Sequence, residues 1–315
     1  MMRSRLASVV VVVCALLTAC TPNGPQDGGE TLPPPSPQTT AVASPGQTGP
    51  APTSAAPDPT TPTTTSAAPE PTTPATTATA QRQALVYFQM DAPGGARLVR
   101  ESQQVAAETP ARGAIEAMLA GPDDPDYTSP WNPATRVLGI SDDGGVIIVD
   151  LSAEARTADV GSDFAAMMKQ QLIYTVTEHL GTGNKVLLHI DGAPAGELWG
   201  AVDWSVPEPR GEWSQVLLFV GIDTPGEGES VTSPVVVTGQ AAVFEATLRW
   251  RVLTPEGTVV EEGFAMTSEG NTMAPYQFEV PLPTGEYVIE VTEDDPSDGE
   301  GGPLDVDTRS VVVTG

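Results

Sequence analysis

The chain has 315 residues and a mass of 32.6 kDa, with a formal net charge of -27 and a pI of about 4.1. This length suits about two domains. The acidic excess disfavours nucleic acid and anionic lipid surfaces as partners, because both would repel the chain within a Debye length. Two cysteines are too few for a disulfide-built scaffold or a zinc-ribbon site.

Residues 1–19 have the order of a secretory signal peptide. Arg3 and Arg5 precede an apolar run over residues 6–17, which is short of the roughly 20 helical residues that span a bilayer. The run ends in a Leu-Thr-Ala-Cys segment that resembles the bacterial lipobox, with Cys20 as its cysteine. The resemblance implies cleavage before Cys20 and fatty acids on its sulfur. An ordinary signal peptide followed by an incidental cysteine is the alternative.

Lipidation at Cys20 predicts a protein anchored at the extracytoplasmic face of the cell membrane. Cleavage would remove Cys14 with the signal peptide and leave 12 basic against 41 acidic residues, a formal charge of -29. Two acyl chains supply the two signals that stable anchoring requires, without a polybasic patch.

Residues 20–81 consist of the lipidated cysteine and a Pro/Thr-rich linker that we expect to be disordered. Residues 21–80 contain 15 prolines and 16 threonines but no aromatic residue, lysine or arginine, so they lack the material for a core. Polyproline-like chain of this length reaches on the order of 100 Å. A plain spacer and an O-glycosylated stalk, with sugars on threonines of residues 60–65, both fit this composition.

Residues 82–210 have the pattern of a mixed α+β domain in which two helices cover a small sheet. Pro110 suits the first turn of a helix, and Gly121 suits its end. The Asp-Asp-Gly-Gly segment at residues 142–145 predicts a hairpin turn. The expected elements are strands over 85–88 and 97–101, a helix over 109–119, strands over 136–140 and 146–151, a helix over 162–180 and a strand over 185–190.

Residues 211–315 lose the helical period and predict an all-β sandwich. Apolar and polar residues alternate over residues 246–252, which is typical of a strand with one buried face. Seven strands are expected, over 216–220, 235–238, 246–252, 258–262, 276–280, 287–291 and 310–314. The expected aromatic core consists of Phe244, Trp250, Phe264, Phe278 and Tyr287.

The first domain resembles a GerMN domain, a module named for spore-germination proteins. The landmarks that carry this resemblance are Val86-Tyr87-Phe88, Met118-Leu119-Ala120-Gly121-Pro122, Arg136-Val137-Leu138-Gly139-Ile140, Val149-Asp150-Leu151-Ser152, Tyr174-Thr175-Val176-Thr177 and Asp191-Gly192. They occur in the order that the family shows.

The second domain is similar to the immunoglobulin-like domain of bacterial spore-germination proteins. The residues that carry this resemblance are Val231-Thr232-Ser233-Pro234-Val235, Val237-Thr238-Gly239-Gln240-Ala241, Phe244-Glu245-Ala246-Thr247-Leu248, Pro275-Tyr276-Gln277-Phe278 and Ser297-Asp298-Gly299. The tandem implies an exported, envelope-associated protein that serves binding or assembly, with no established catalytic residues to carry across.

The two histidines of the chain are better explained by structure than by chemistry. His179 would end the second helix, where a cation suits the helix dipole, and His189 would lie on a strand face opposite the core residues. Metal sites and hydrolytic triads need several convergent groups, and no such motif is present. The sequence therefore predicts no catalytic residue, no cofactor and no metal site.

Carboxylates are densest near the C terminus, at Glu293, Asp294, Asp295, Asp298, Glu300, Asp305 and Asp307. Calcium prefers several oxygen ligands on a turning loop, but a solvated acidic turn is the favoured interpretation. We also interpret Asp142 and Asp143 as hairpin residues, and Asp150 and Asp191 as turn or cap residues.

These observations favour a non-enzymatic, membrane-anchored envelope lipoprotein that presents two interaction domains to a protein partner. The alternative is a protein that binds or modifies wall polysaccharide, with aromatic platforms supplied by Trp131, Trp199, Trp204 and Trp213. A solute-capturing lipoprotein is disfavoured, because two dissimilar small domains do not form the pair of similar lobes that closes around a solute.

Overall fold

The computed structural model describes residues 80–295, 300 and 302–315. The predicted signal peptide, Cys20 and nearly all of the predicted linker lie outside the described residues. Within the described residues no helix is long and apolar enough to cross a membrane.

The first domain begins with a long two-stranded ribbon and continues with two helices and a small sheet. Its elements are β1 (Gln81–Ala92), β2 (Gly95–Ala106), α1 (Pro110–Ala120), β3 (Val137–Asp142), β4 (Val146–Leu151), α2 (Ser162–Leu180), β5 (Lys185–Ile190), β6 (Ala193–Pro194), β7 (Gly196–Leu198) and β8 (Val202–Trp204). The α+β prediction and the bounds of both helices are confirmed to within a residue.

The sheet order β3-β4-β5-β6 follows from local chain geometry. A turn closed by Gly144 and Gly145, both at positive φ, makes β3 and β4 an antiparallel hairpin. The helix α2 is the crossover that makes β5 parallel to β4. Apolar residues of both helices pack against this sheet and against the β1–β2 ribbon, so one core joins them.

The second domain is a β-sandwich that follows one short helix. Its elements are α3 (Trp213–Val216), β9 (Val220–Thr224), β10 (Glu229–Thr232), β11 (Val235–Ala241), β12 (Thr247–Leu253), β13 (Val259–Met266), β14 (Ala274–Val280), β15 (Gly285–Glu293) and β16 (Val306–Thr314). A five-stranded sheet of order β10-β16-β15-β12-β13 packs on a three-stranded sheet of order β14-β11-β9. The all-β sandwich is therefore confirmed.

One strand prediction in this domain was wrong, and one strand was not predicted. The strand expected over residues 216–220 is instead the end of α3, a connection over residues 217–219 and the first residue of β9. Within that connection Leu217 bridges to Leu98 of the first domain. The strand β10 was missed, since four mostly polar residues carry little hydrophobic pattern.

The expected aromatic core is only partly present. Trp250, Phe278 and Tyr287 pack against the buried cluster, which is otherwise mainly valine, leucine and isoleucine. Phe244 is 56% exposed, because it lies in the 3₁₀ turn before β12. Phe264 is 62% exposed, because its position in β13 places it on the outer face of the sheet.

Candidate functional site

A buried ion cluster joins the two domains. The Arg309 guanidinium of β16 forms an ion pair with Asp124 of the first domain, and both side chains are buried. The same guanidinium donates hydrogen bonds to the Tyr127 hydroxyl at 2.9 Å and to the Ile222 carbonyl at 3.0 Å. Tyr127 in turn donates to the Asp307 carboxylate at 2.5 Å. Residues from both domains therefore provide most of the hydrogen bonds of this buried cluster, although the Arg309 Nε atom has no partner.

The cluster contains more carboxylates than cations. Burial raises the pKa of Asp124 to about 7, although the nearby Arg309 guanidinium opposes this shift. Burial also raises the pKa of Asp307 and of Glu101, which accepts backbone hydrogen bonds from the loop that carries Asp124. The positive charge of Arg309 is thus shared among three buried carboxyl groups and does not offset the effect of their burial. Protonation of these carboxyl groups therefore begins at a higher pH than usual.

A second set of ion pairs lines a cleft of about 430 Å³ on the side of the junction. Arg100 of β2 binds Asp223 of β9 through two hydrogen bonds of 2.6 and 2.5 Å. Beside this pair, Glu178 accepts hydrogen bonds from Arg210 at 2.8 Å and from the Tyr87 hydroxyl at 3.1 Å. The Arg100–Asp223 pair therefore joins the two domains, whereas Glu178, Arg210 and Tyr87 bind one another within the first domain.

The edge strand β13 carries an exposed apolar surface. Phe264 and Met266 are 62% and 68% exposed, and Val259 and Val260 in the same strand are also exposed. β13 pairs with β12 on one side and ends the five-stranded sheet on the other. An edge strand with exposed apolar side chains is a template for an added strand.

The other edges of the sandwich differ from β13. The first domain packs its strand β2 against β9. The exposed side chains of β14 are Pro275, Gln277 and Glu279, and those of β10 include Glu229. Polar residues and proline discourage strand addition, so β13 is the most favourable edge for a protein partner.

Arg249 of β12 lies beside this apolar surface. It is directly opposite Phe264, and its guanidinium carbon is 5.7 Å from the centre of the Phe264 ring. The adjacent outward cation, Arg251, instead pairs with Glu290 at 2.8 Å. We define the β13 edge surface as Arg249, Phe264, Met266 and the backbone of residues 263–266.

Comparisons with known families agree with the two-domain fold. A model described as "Sporulation and spore germination" matches residues 85–196. A model described as "Immunoglobulin-like domain of bacterial spore germination" matches residues 219–300. The chain therefore has a GerMN-like domain followed by an immunoglobulin-like domain similar to those of germination proteins.

Several solved structures are similar to parts of this GerMN and immunoglobulin-like pair. The tandem GerMN domains of the sporulation protein GerM from Bacillus subtilis are 15% identical, with a TM-score of 0.36 and coverage of 42% of this chain and 47% of that chain. The first of those domains alone is 19% identical, with a TM-score of 0.31 and coverage of 40% and 96%. CopC from Methylosinus trichosporium OB3b is 17% identical, with a TM-score of 0.23 and coverage of 30% and 92%.

The chain thus spans about half the length of the tandem GerM structure. No curated protein matches it. The descriptions of the two matching families name no enzymatic activity.

The histidines of the GerMN domain lie where the sequence places them. His179, in the last turn of α2, has its Nε2 atom 2.9 Å from the Leu85 carbonyl oxygen, which fixes the helix to β1. His189 lies half-buried in β5, opposite Asp150 in one neighbouring strand and Pro194 in the other. Both positions agree with structural roles.

The aspartates interpreted as turn residues have the expected geometry. Asp142 accepts a hydrogen bond from the Gly145 N–H at 3.1 Å within the β3–β4 turn. Asp150 accepts one from the Gly192 N–H at 2.9 Å, and Asp191 has a φ of 52° in the same turn.

The C-terminal carboxylates that the structure describes do not form one site. Asp307 lies in the buried junction, and the Asp305 carboxylate accepts the backbone N–H of Phe219 at 2.9 Å. Glu293 accepts the backbone N–H of Asp305 at 3.0 Å, while Asp298 lies outside the described residues. No group of three histidine, cysteine or acidic residues suited to a metal ion occurs in the described part of the chain.

The tryptophans expected as sugar platforms are mainly structural. Trp131 and Trp204 are buried, and the Trp204 indole donates to the Val186 carbonyl at 3.0 Å. Trp199 packs edge-on against Trp131 and donates to the Ala155 carbonyl at 3.1 Å. Trp213 is half-buried in the junction cleft. Three of the four candidates are therefore occupied by packing or hydrogen bonds within the GerMN domain.

Proposed function

We propose that this protein is a non-enzymatic lipoprotein of the cell envelope, anchored through Cys20, that presents a joined pair of domains to a protein partner outside the cytoplasmic membrane. The two family matches support a role in protein interaction, since both modules belong to families named for sporulation and germination. The anchor and the location rest on the sequence of residues 1–20.

The observation that carries the proposal is the β13 edge surface. Burial of Phe264 and Met266 by a partner would remove apolar area from water, at about 25 cal/mol per Å². The edge of β13 is unpaired as far as Met266, after which Thr267 bridges to Tyr276 of β14, and this free edge supplies backbone hydrogen bonds for an added strand. A Pro/Thr-rich linker of residues 20–81 would carry this surface away from the membrane.

The anchor is tested by a matched pair of cysteine substitutions in the full chain. We expect Cys20→Ser to abolish incorporation of labelled palmitate and to block cleavage before residue 20, so that a larger, uncleaved precursor accumulates. Cys14→Ser should leave both properties unchanged, because the signal peptide that contains it is removed. Palmitate incorporation into the Cys20→Ser protein would contradict lipidation at this residue.

The partner is tested by chemical crosslinking in intact cells and mass spectrometry of the adducts. We expect one specific envelope protein, recovered at a yield that falls when Phe264→Ser is introduced. A matched control is Leu138→Ser, which alters an exposed leucine of the GerMN domain away from β13. Cosedimentation of the purified chain with wall material, unchanged by Phe264→Ser, would favour the polysaccharide alternative instead.

A further inference from the structure

The charge of the immunoglobulin-like domain is distributed unevenly. Residues 211–315 contain three basic residues, Arg249, Arg251 and Arg309, against 19 acidic ones. Arg309 is buried in the domain junction. The two remaining cations both project from one face of β12, next to the apolar side chains of β13.

These two arginines have different surroundings. Arg251 pairs with Glu290 and lies opposite Glu262, so its charge is compensated within the domain. Arg249 lies opposite Phe264 on one side and Thr292 on the other. Among the described residues Arg249 has no ion pair, and its guanidinium contacts the face of the Phe264 ring. It is therefore a cation in a strongly acidic domain whose directly opposite residues in both neighbouring strands carry no charge.

Strand geometry defines which residues of an added strand would lie near Arg249. A strand added to β13 would lie about 4.8 Å beyond it, with alternate side chains on the outer face. The Arg249 guanidinium already lies over Phe264, so it extends toward that added strand. The outward residue opposite Phe264 would be its nearest new neighbour, and the next outward residue would face Met266.

We propose that β13 binds an extended segment of a partner protein that places one carboxylate opposite Phe264, beside Arg249, and an apolar side chain two residues away against Met266. This inference rests on the proposed function. Glu262, the next outward residue of β13, disfavours a second carboxylate on the other side. The recognised segment therefore has a single acidic residue on this face and is not a run of acidic residues.

Other occupants fit this surface less well. A second copy would bring together two chains of formal charge -27, which repel each other. The chain's own residues 21–80 include 15 prolines, which lack the N–H that strand addition uses. A separate protein with an acidic and apolar strand satisfies both the charge and the hydrogen bonds.

The test places a photo-crosslinking residue, p-benzoylphenylalanine, at Met266 in the full chain in its native cells. After irradiation, the captured segment is sequenced by mass spectrometry. The measurement is repeated with Arg249→Gln and with Arg251→Gln, which removes an equivalent charge that is already paired. We expect a captured segment with an acidic residue two positions from an apolar one. We also expect a yield that falls about threefold or more with Arg249→Gln but not with Arg251→Gln.

Several outcomes would overturn the inference while leaving the proposed function intact. These are capture of a partner segment without an acidic residue, or an equal loss of yield in both arginine variants. Capture of a second copy or of the chain's own linker would also overturn it. A probe at Leu138 reports on the GerMN domain: an adduct there and none at Met266 overturns the β13 assignment alone. Absence of protein adducts at both probes overturns both proposals.

Discussion

At the scale of single residues, the arginines of this chain separate into buried and exposed kinds. Arg309 is buried between two carboxylates and a tyrosine hydroxyl, and its removal leaves Asp124 and Asp307 without their cation. Arg251 pairs with Glu290 on the exposed face of a sheet, where water screens the charges. Equal charges thus contribute very differently to stability, because the cost of an unpaired carboxylate depends on burial.

We expect Arg309→Gln to lower the free energy of unfolding by about 3–5 kcal/mol, since two buried carboxylates lose their partner. Arg251→Gln, the exposed control, should cost less than about 1 kcal/mol. Urea unfolding followed by tryptophan fluorescence measures both. Similar costs for the two variants would show that the buried cluster does not stabilise the junction.

At the scale of elements, the strand β11 depends on the absence of a side chain at Gly239. A Cβ atom at this position would lie 2.0 Å from the Gly221 carbonyl oxygen and 2.5 Å from the Tyr276 hydroxyl. That hydroxyl donates to the same Gly221 carbonyl at 2.9 Å, across the three-stranded sheet. The register between β11 and β9 shifts beside Gly239, so the close approach belongs to a bulge.

We expect Gly239→Ala to destabilise the sandwich by at least about 1–3 kcal/mol, because β9 or Tyr276 must move. Gly183→Ala is the matched control. Its Cβ would meet no atom within 4 Å and its backbone is not left-handed, so little change is expected. The thermal unfolding midpoint distinguishes the two. An unchanged midpoint in Gly239→Ala would mean that the bulge relaxes without cost.

At the scale of the whole molecule, acidity and domain association are linked. The described residues from 80 onward belong to one compact unit, and its domain junction contains the carboxyl groups with raised pKa values. A carboxyl group with a raised pKa binds its proton more readily in the folded than in the unfolded chain. Its contribution therefore favours folding as the pH falls from about 7 toward about 4 and is lost as the pH rises.

We accordingly expect the thermal unfolding midpoint to be higher at about pH 5.5 than at about pH 8. Asp124→Asn should reduce this difference, because it removes the group whose pKa is raised to about 7. Asp203→Asn is the control: hydrogen bonds from Ser205 lower the pKa of Asp203, so it stays ionised across this range. An unaltered pH dependence in Asp124→Asn would contradict the assignment.

The sequence determined the elements whose signals are local. The four-residue recurrence of apolar side chains defines α2, Pro110 and Gly121 bound α1, and the double glycine of residues 144–145 closes the β3–β4 hairpin. The tandem of family landmarks likewise indicated both domains, and the matching family models confirm them. Each of these signals lies within a few residues along the chain, where backbone geometry decides the outcome.

Tertiary structure alone decided which side chains are buried and which residues meet. Asp307 and Asp305 belong to the same run of carboxylates, yet Asp307 is buried against Tyr127, which is 180 positions away. Phe264 and Trp204 are both aromatic residues in strands, but packing exposes the first and buries the second. Burial and pairing depend on contacts between distant segments, and those contacts exist only after the strands and domains have packed together.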